Sequence, residues 1–309
     1  MKEMQGRTIL VSGCENFFGR MLSQRLIELG ADVIVMCGSD SRRITKASLP
    51  GYTLVSTDDP DISGMFCGGI EAIIFLNHPL VMSNKMIGRR FPGSHLAELM
   101  KMLRLAERTG TYFIYASSGS VYGKHRYLPM DEGHPVEPIL IYGAVKLAGE
   151  HFCRAKALEN GFSFSILRYG DIYGPGVRHI GEPAIFLENA IKNKPIIIRG
   201  AGEQVKSFIY VEDAVEATIK VLANKPSNQA INIAGNDYIS IWDLASMIRQ
   251  NYSVKCEIKT AGKNLTDEVE CCLDTTKSAD LLGFNPKVDL ISGLFKSYGW
   301  LLNEIIQTQ

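Results

Sequence analysis

Thr8-Ile-Leu-Val-Ser-Gly-Cys-Glu-Asn-Phe-Phe-Gly19, with the amphipathic run that follows it to Gly30, is the stretch that sets the architecture. A β-branched and apolar run, a turn bounded by Gly13 and Gly19, and then a helix make a dinucleotide-binding opening, because amides at a helix start favour a pyrophosphate. The next apolar run, Asp32 to Cys37, reads as a second strand. Its last residue should read the adenine ribose, and a carboxylate there would accept the ribose hydroxyl hydrogens and repel a 2′-phosphate. Cys37 stands in that place. Beyond it comes Gly38-Ser-Asp-Ser-Arg-Arg43, where Ser39, Arg42 and Arg43 could hold a 2′-phosphate by charge-assisted hydrogen bonds. The expected cofactor is NADP, with NAD left open by Asp40.

Ile70 to Leu76 reads as a fourth strand that runs into Asn77-His-Pro79. A loop carrying Arg89 and Arg90 follows, then a helix from about Ser94 to Arg108. Loops leaving the carboxyl ends of strands line ligand crevices in such sheets.

Ala116 to Glu150 carries the chemistry. Ser118 follows the strand-like run Thr111 to Ala116, and Tyr142 and Lys146 stand four apart in a segment that reads as helix, so they share one face. A phenol near pKa 10 is a poor base at neutral pH, but a neighbouring ammonium favours the phenolate and a serine hydroxyl can share the proton. Together Ser118, Tyr142 and Lys146 can take a proton from an alcohol while its carbon loses hydride.

The chain resembles the extended short-chain dehydrogenase/reductase family, the nucleotide-sugar epimerases, reductases and dehydratases. The matching residues are Ser118 to Gly123, Asp131-Glu132, Pro138, Tyr142, Lys146, Glu150, Leu167 to Gly176 and Val205 to Ala217, in order along nearly the whole chain. The resemblance implies an α/β fold, a doubly wound parallel (Rossmann) sheet with a smaller C-terminal substrate-binding lobe. It divides the chain into 1–175 and 207–235 for the dinucleotide and 176–206 and 236–309 for the substrate. Ser118, Tyr142 and Lys146 match the family's catalytic triad, with Lys146 expected to bind nicotinamide ribose and lower the tyrosine pKa. Gly13, Asn16, Phe17, Phe18 and Gly19 match the pyrophosphate turn, Asn16 replacing its middle glycine; asparagine tolerates positive φ, so the turn is expected to survive. Asn77, Tyr142 and Lys146 complete the cofactor set. His95 stands where relatives have a relay asparagine, and Asp171 where many have a substrate-facing asparagine. Lys206 replaces an arginine that grips the substrate diphosphate, keeping the charge but losing the planar fork; a second family arginine falls at Asn264, beside Lys263. The resemblance also implies a homodimer, through helices near Ser94–Arg108 and Tyr142–Asn160 that carry Leu147, Phe152 and Ala155.

Lys+Arg and Asp+Glu are 33 each, so no global field draws the chain to nucleic acid or an anionic membrane. Hydrophobic residues make up 46% of 309, enough for a large core. Seven cysteines, an odd number, do not form a disulfide framework and point to a reducing, cytoplasmic setting. No apolar run approaches a bilayer span, and no metal-ligand spacing occurs.

Family members that dehydrate or decarboxylate carry an acid in the first catalytic motif; here it reads Ser118-Gly119-Ser120. Neither of the last two supplies a proton to a leaving group. That sets a nucleotide-sugar dehydratase behind hydride transfer of the 4-ketoreductase or 4-epimerase type. The alternative of another class is a cofactor-binding regulatory or redox-sensing protein without turnover.

Overall fold

The structure is a computed structural model that describes residues 4–14, 16–37, 51–56, 69–77, 92–252, 256–262 and 270–307, with only the backbone of Cys37 and Pro92. In chain order the elements are β1 (Thr8–Ser12), α1 (Phe17–Glu28), β2 (Asp32–Cys37), β3 (Tyr52–Ser56), β4 (Ile70–Phe75), α2 (Pro92–Thr109) and β5 (Tyr112–Ser118). Then come α3 (Ile141–Asn160), β6 (Phe164–Tyr169), β7 (Asp171–Tyr173), α4 (Glu182–Ile191), β8 (Ile196–Arg199), β9 (Val205–Tyr210), α5 (Val211–Asn224) and β10 (Gln229–Ile233). β11 (Tyr238–Ser240), α6 (Ile241–Asn251), β12 (Ile258–Ala261), α7 (Thr276–Leu282) and α8 (Leu290–Gln307) complete the chain.

Seven strands form one sheet in the order β10-β6-β5-β4-β1-β2-β3. The chain builds outward from β1 to β2 and β3, then crosses back to place β4 on the other side of β1, both pairings parallel. The reversal between β1 and β4 is a topological switch point, where an open α/β sheet presents a crevice at its carboxyl ends. The doubly wound sheet is thus as expected.

The inner strands β1, β4, β5 and β6 are buried along nearly their whole length, as strands covered on both faces are, whereas the edge strand β3 is mostly exposed. Leu99, Leu103 and Ala106 of α2, spaced i, i+4 and i+7, join Leu10, Ile73, Phe75 and Phe113 of the sheet in one buried cluster with Cys153 and Ala157 of α3. Truncating Leu103 in such a core costs about 2–5 kcal/mol.

Two compact units divide the chain: 1–117 with 144–168 and 215–231, and 118–143 with 169–214 and 232–309. In the second, β9 runs parallel to β7 and antiparallel to β11, β12 pairs with β8, and α4 packs against α6 and α8. β9 therefore belongs to this three-stranded sheet, although the division read from the sequence assigned residues 207–235 to the dinucleotide part. On α3, Phe152, Ala155 and Leu158 are exposed. No helix among the described residues is long and apolar enough to cross a membrane, and the described cysteines are free thiols.

Candidate active site

In the first unit the site begins at the switch point. Gly13 has φ 94°, and a Cβ there would lie 2.7 Å from the Leu76 carbonyl carbon and 2.8 Å from the Asn77 nitrogen. Only glycine lets the end of β1 pass this close to the end of β4. Asn16 behaves differently from the expectation: its φ is −88°, and it is the N-cap of α1. Its Oδ1 accepts from the Gly19 amide at 2.7 Å and its Nδ2 donates to the Leu76 carbonyl at 3.2 Å. The asparagine thus replaces a glycine by capping rather than by adopting a left-handed backbone. Phe17 and Phe18 open the helix behind it. The tight glycine crossing and a helix start fit a pyrophosphate.

Asn77 is held from both sides. Ser12 Oγ donates to its Oδ1 at 2.6 Å, and its Nδ2 donates to Glu98 Oε2 at 2.5 Å. Its carbonyl, so fixed, accepts from Lys146 Nζ at 3.1 Å, while the Ala116 carbonyl accepts from the same ammonium at 2.7 Å. Lys146 is 2% exposed, and burial pulls its pKa from 10.5 down to about 7, with the Glu150 charge opposing. One turn along α3, buried Glu150 receives Arg168 on both oxygens, at 3.0 and 2.7 Å, and the Ser117 hydroxyl at 2.6 Å.

His95, on α2, is buried and places Nε2 3.3 Å from the Tyr115 hydroxyl, which also donates to the Lys146 carbonyl. It supports α3 through Tyr115.

In the second unit Ser118 and Tyr142 meet. Ser118 caps the short 3-10 turn Gly119–Val121, with its Oγ accepting from the Ser120 amide at 3.2 Å. A Cβ on Gly143 would collide with the Ser120 carbonyl, so the Tyr-Gly pair lets the start of α3 lie against this turn. Tyr142 then shares a hydrogen bond with Ser118. Burial raises the phenol pKa well above 10, the Ser118 bond works the other way, and the charges of Asp171 and Cys271 add to the rise. The tyrosine is held as a phenol here: of the two groups expected to favour the phenolate, Ser118 works in that direction and is outweighed by burial.

Lys206, expected to face the substrate diphosphate, is surrounded by carboxylates in the structure. It is not a lone cation: its Nζ donates to Asp171 Oδ2 at 3.1 Å and to Glu182 Oε1 at 3.0 Å. Burial opposes its charge, but the two carboxylates outweigh that and hold the ammonium firmly protonated. Glu182 went unnoticed in the sequence, where Gly181-Glu-Pro183 signals only a helix start. Cys271 was likewise missed; its sulfur lies against Gly119, and burial pushes its thiol pKa up, with Asp171 adding. The side chain of Cys37, together with Ser39, Arg42, Arg43, Arg89, Arg90, Lys263 and Asn264, falls outside the described residues.

The sequence matches the NAD dependent epimerase/dehydratase family over residues 9–234. Among curated proteins it is similar to the uncharacterized UDP-glucose epimerase YtcB of Bacillus subtilis, 29% identical over 95% of this chain and 97% of the other. It is also similar to the UDP-glucose 4-epimerase of Mycolicibacterium smegmatis, 25% identical over 96% and 98%. Among solved structures, the UDP-glucose 4-epimerase of Thermotoga maritima with UDP-glucose superposes with a TM-score of 0.85 at 26% identity, over 96% of this chain and 99% of that one. With a match spanning most of its length and the triad motifs in order, this chain belongs to the NAD dependent epimerase/dehydratase family.

Proposed function

We propose that the protein transfers hydride at C4 of a nucleotide-activated sugar with a nicotinamide dinucleotide, and that the net reaction is 4-epimerisation. The observation that carries this reading is the Ser118–Tyr142 hydrogen bond, with Lys146 one helical turn further along α3. The relatives named above favour epimerisation over net reduction, and the glycine at position 119 speaks against dehydration.

A bound nicotinamide would supply the chemistry of taking up and returning the hydride. Gly13, Asn16, Phe17, Phe18 and Gly19 would hold its pyrophosphate, and Asn77 and Lys146 would hold its ribose. Tyr142 moves the proton at the sugar O4, and Ser118 orients that oxygen while sharing the proton. Lys146 has two of its three protons on the Asn77 and Ala116 carbonyls, which aims the remaining one. Asp171 and Lys206 would face the substrate. In ligand terms, 1–175 with 207–235 serve the dinucleotide and 176–206 with 236–309 the sugar nucleotide.

Tyr142→Phe tests the reading. The ring keeps its packing while the transferable proton disappears, so turnover should fall at least about a thousandfold with cofactor affinity retained. Full activity, or loss of cofactor binding, would show that the base lies elsewhere.

The cofactor's finer identity we infer to be NADP, from Cys37 in place of a carboxylate and from Ser39, Arg42 and Arg43 after it. That choice favours the second reading, a 4-ketoreductase, because a reductase exchanges its cofactor each cycle whereas an epimerase regains its redox state. Titration of both dinucleotides should show NADP binding about tenfold tighter, with the preference lost in Arg42→Ala/Arg43→Ala. Equal affinities in the parent would remove both NADP and the reductase.

A further inference from the structure

Lys206, Asp171 and Glu182 form a partly buried cluster in which one ammonium meets two carboxylates. The Lys206 side chain is 14% exposed, Glu182 30% and Asp171 44%. Arg199, at the end of β8, adds a second positive charge that acts on Glu182. The Glu182 carboxylate therefore bonds the Lys206 ammonium and feels the Arg199 charge as well, the place a phosphate group would take.

We propose that Glu182 is a built-in competitor for the substrate diphosphate, so that it sets the affinity of the site by occupying the charge of Lys206 until the nucleotide displaces it. The inference rests on the nucleotide-sugar reading above and assigns a specificity role to a residue outside the triad. Three protons on Lys206 allow three bonds, and two are spent on carboxylates. An incoming diphosphate must either approach Asp171 and Glu182 while both remain, or remove one of them. Asp171 opens β7, whose backbone is paired in register with Phe208 of β9, and its short side chain has little reach. Glu182 is the first residue of α4, behind Gly181 at φ 73°, where no side-chain cap holds the helix start. It is the longer of the two and sits at an uncapped helix start, so its carboxylate has the reach to swing away and is the one that yields. Burial works against its charge, and the Lys206 ammonium more than compensates, holding the carboxyl below its usual range.

Calorimetric titration of UDP, with uridine as the phosphate-free control, tests the proposal on the parent, Glu182→Gln and Glu182→Gln/Lys206→Met proteins. UDP should bind Glu182→Gln about tenfold more tightly than the parent, with a steeper salt dependence, because the ligand then competes with Asp171 alone for the Lys206 charge. Uridine should bind parent and variant alike, and the added Lys206→Met change should erase the gain. Unchanged or weaker UDP binding by Glu182→Gln, or an equal gain for uridine, would overturn the competitor role while leaving the nucleotide-sugar reading intact. No UDP binding by either the parent or Glu182→Gln would remove that reading and the competitor with it.

Discussion

Two buried charge clusters, one in each compact unit, are built on opposite principles. In the first unit Glu150 and Arg168 are 1% and 4% exposed and joined through two parallel bonds, with Ser117 taking a further site on the carboxylate and Arg154 reaching it at 3.6 Å from the helix surface. In the second, Lys206 faces two carboxylates, one of them nearly half exposed. The closed pair is buried on both sides, and its desolvation is offset by the two-bond geometry. The open cluster is unbalanced and wet on one side. A buried charge that is fully matched serves architecture, and one left mismatched at a surface is available to a ligand.

Removing one partner from each cluster should separate the two roles. Glu150→Ala leaves the Arg168 guanidinium buried without its anion and should cost about 3–5 kcal/mol of stability. Lys206→Met leaves Asp171 and Glu182 in reach of water and should cost only about 1 kcal/mol. Denaturant unfolding of both variants measures the contrast. Equal losses would break it.

Lys146 sharpens the comparison from the side of pH, because it is a buried cation near the closed cluster whose own partners are chiefly carbonyls. Its folded pKa of about 7 lies below the 10.5 of the free side chain. Between those values the unfolded chain holds a proton that the folded chain has released, so stability contributed by this group rises with pH through that window. Below about pH 7 both states are protonated and the full cost of burying the charge remains. The slope approaches about 1.4 kcal/mol per pH unit per proton. Lys146→Met should abolish this rise, so that the parent gains stability relative to the variant across pH 7 to 10, read as the midpoint of urea unfolding. A parent and a variant with parallel pH profiles would mean that Lys146 keeps its proton when folded.

What the sequence made legible follows the range of the forces involved. Periodicity and turn chemistry are local, so β1, β2 and the helix after Gly13 were readable within a residue or so, and α2 merely begins earlier than expected, at Pro92, a residue suited to a helix start. Motif spacing on a single helix placed Tyr142 and Lys146 one turn apart on α3. Ser118 was readable too, because it ends an apolar strand. Partners brought together by the tertiary fold were not. Nothing near Gly181-Glu-Pro183 announces Lys206, 24 residues on, and nothing near Cys271 announces Gly119. The tyrosine pKa went astray for the same reason, since desolvation depends on what packs around the phenol rather than on its neighbours along the helix. The sheet to which β9 belongs was misjudged because an apolar strand reads alike in either sheet.

The cap at the start of α1 bears on how the dinucleotide is received. A glycine at position 16 would leave the Gly19 amide for the ligand and would leave the backbone before α1 with more freedom to lose on binding. Asn16 reverses both terms: it takes the Gly19 amide for itself and anchors the helix start to the Leu76 carbonyl. One ligand hydrogen bond is given up, and in exchange the ordering entropy of that segment is met when the chain folds rather than when the cofactor arrives. The dinucleotide thus meets a preorganised receptor, and its association should be limited by encounter rather than by rearrangement of the helix start.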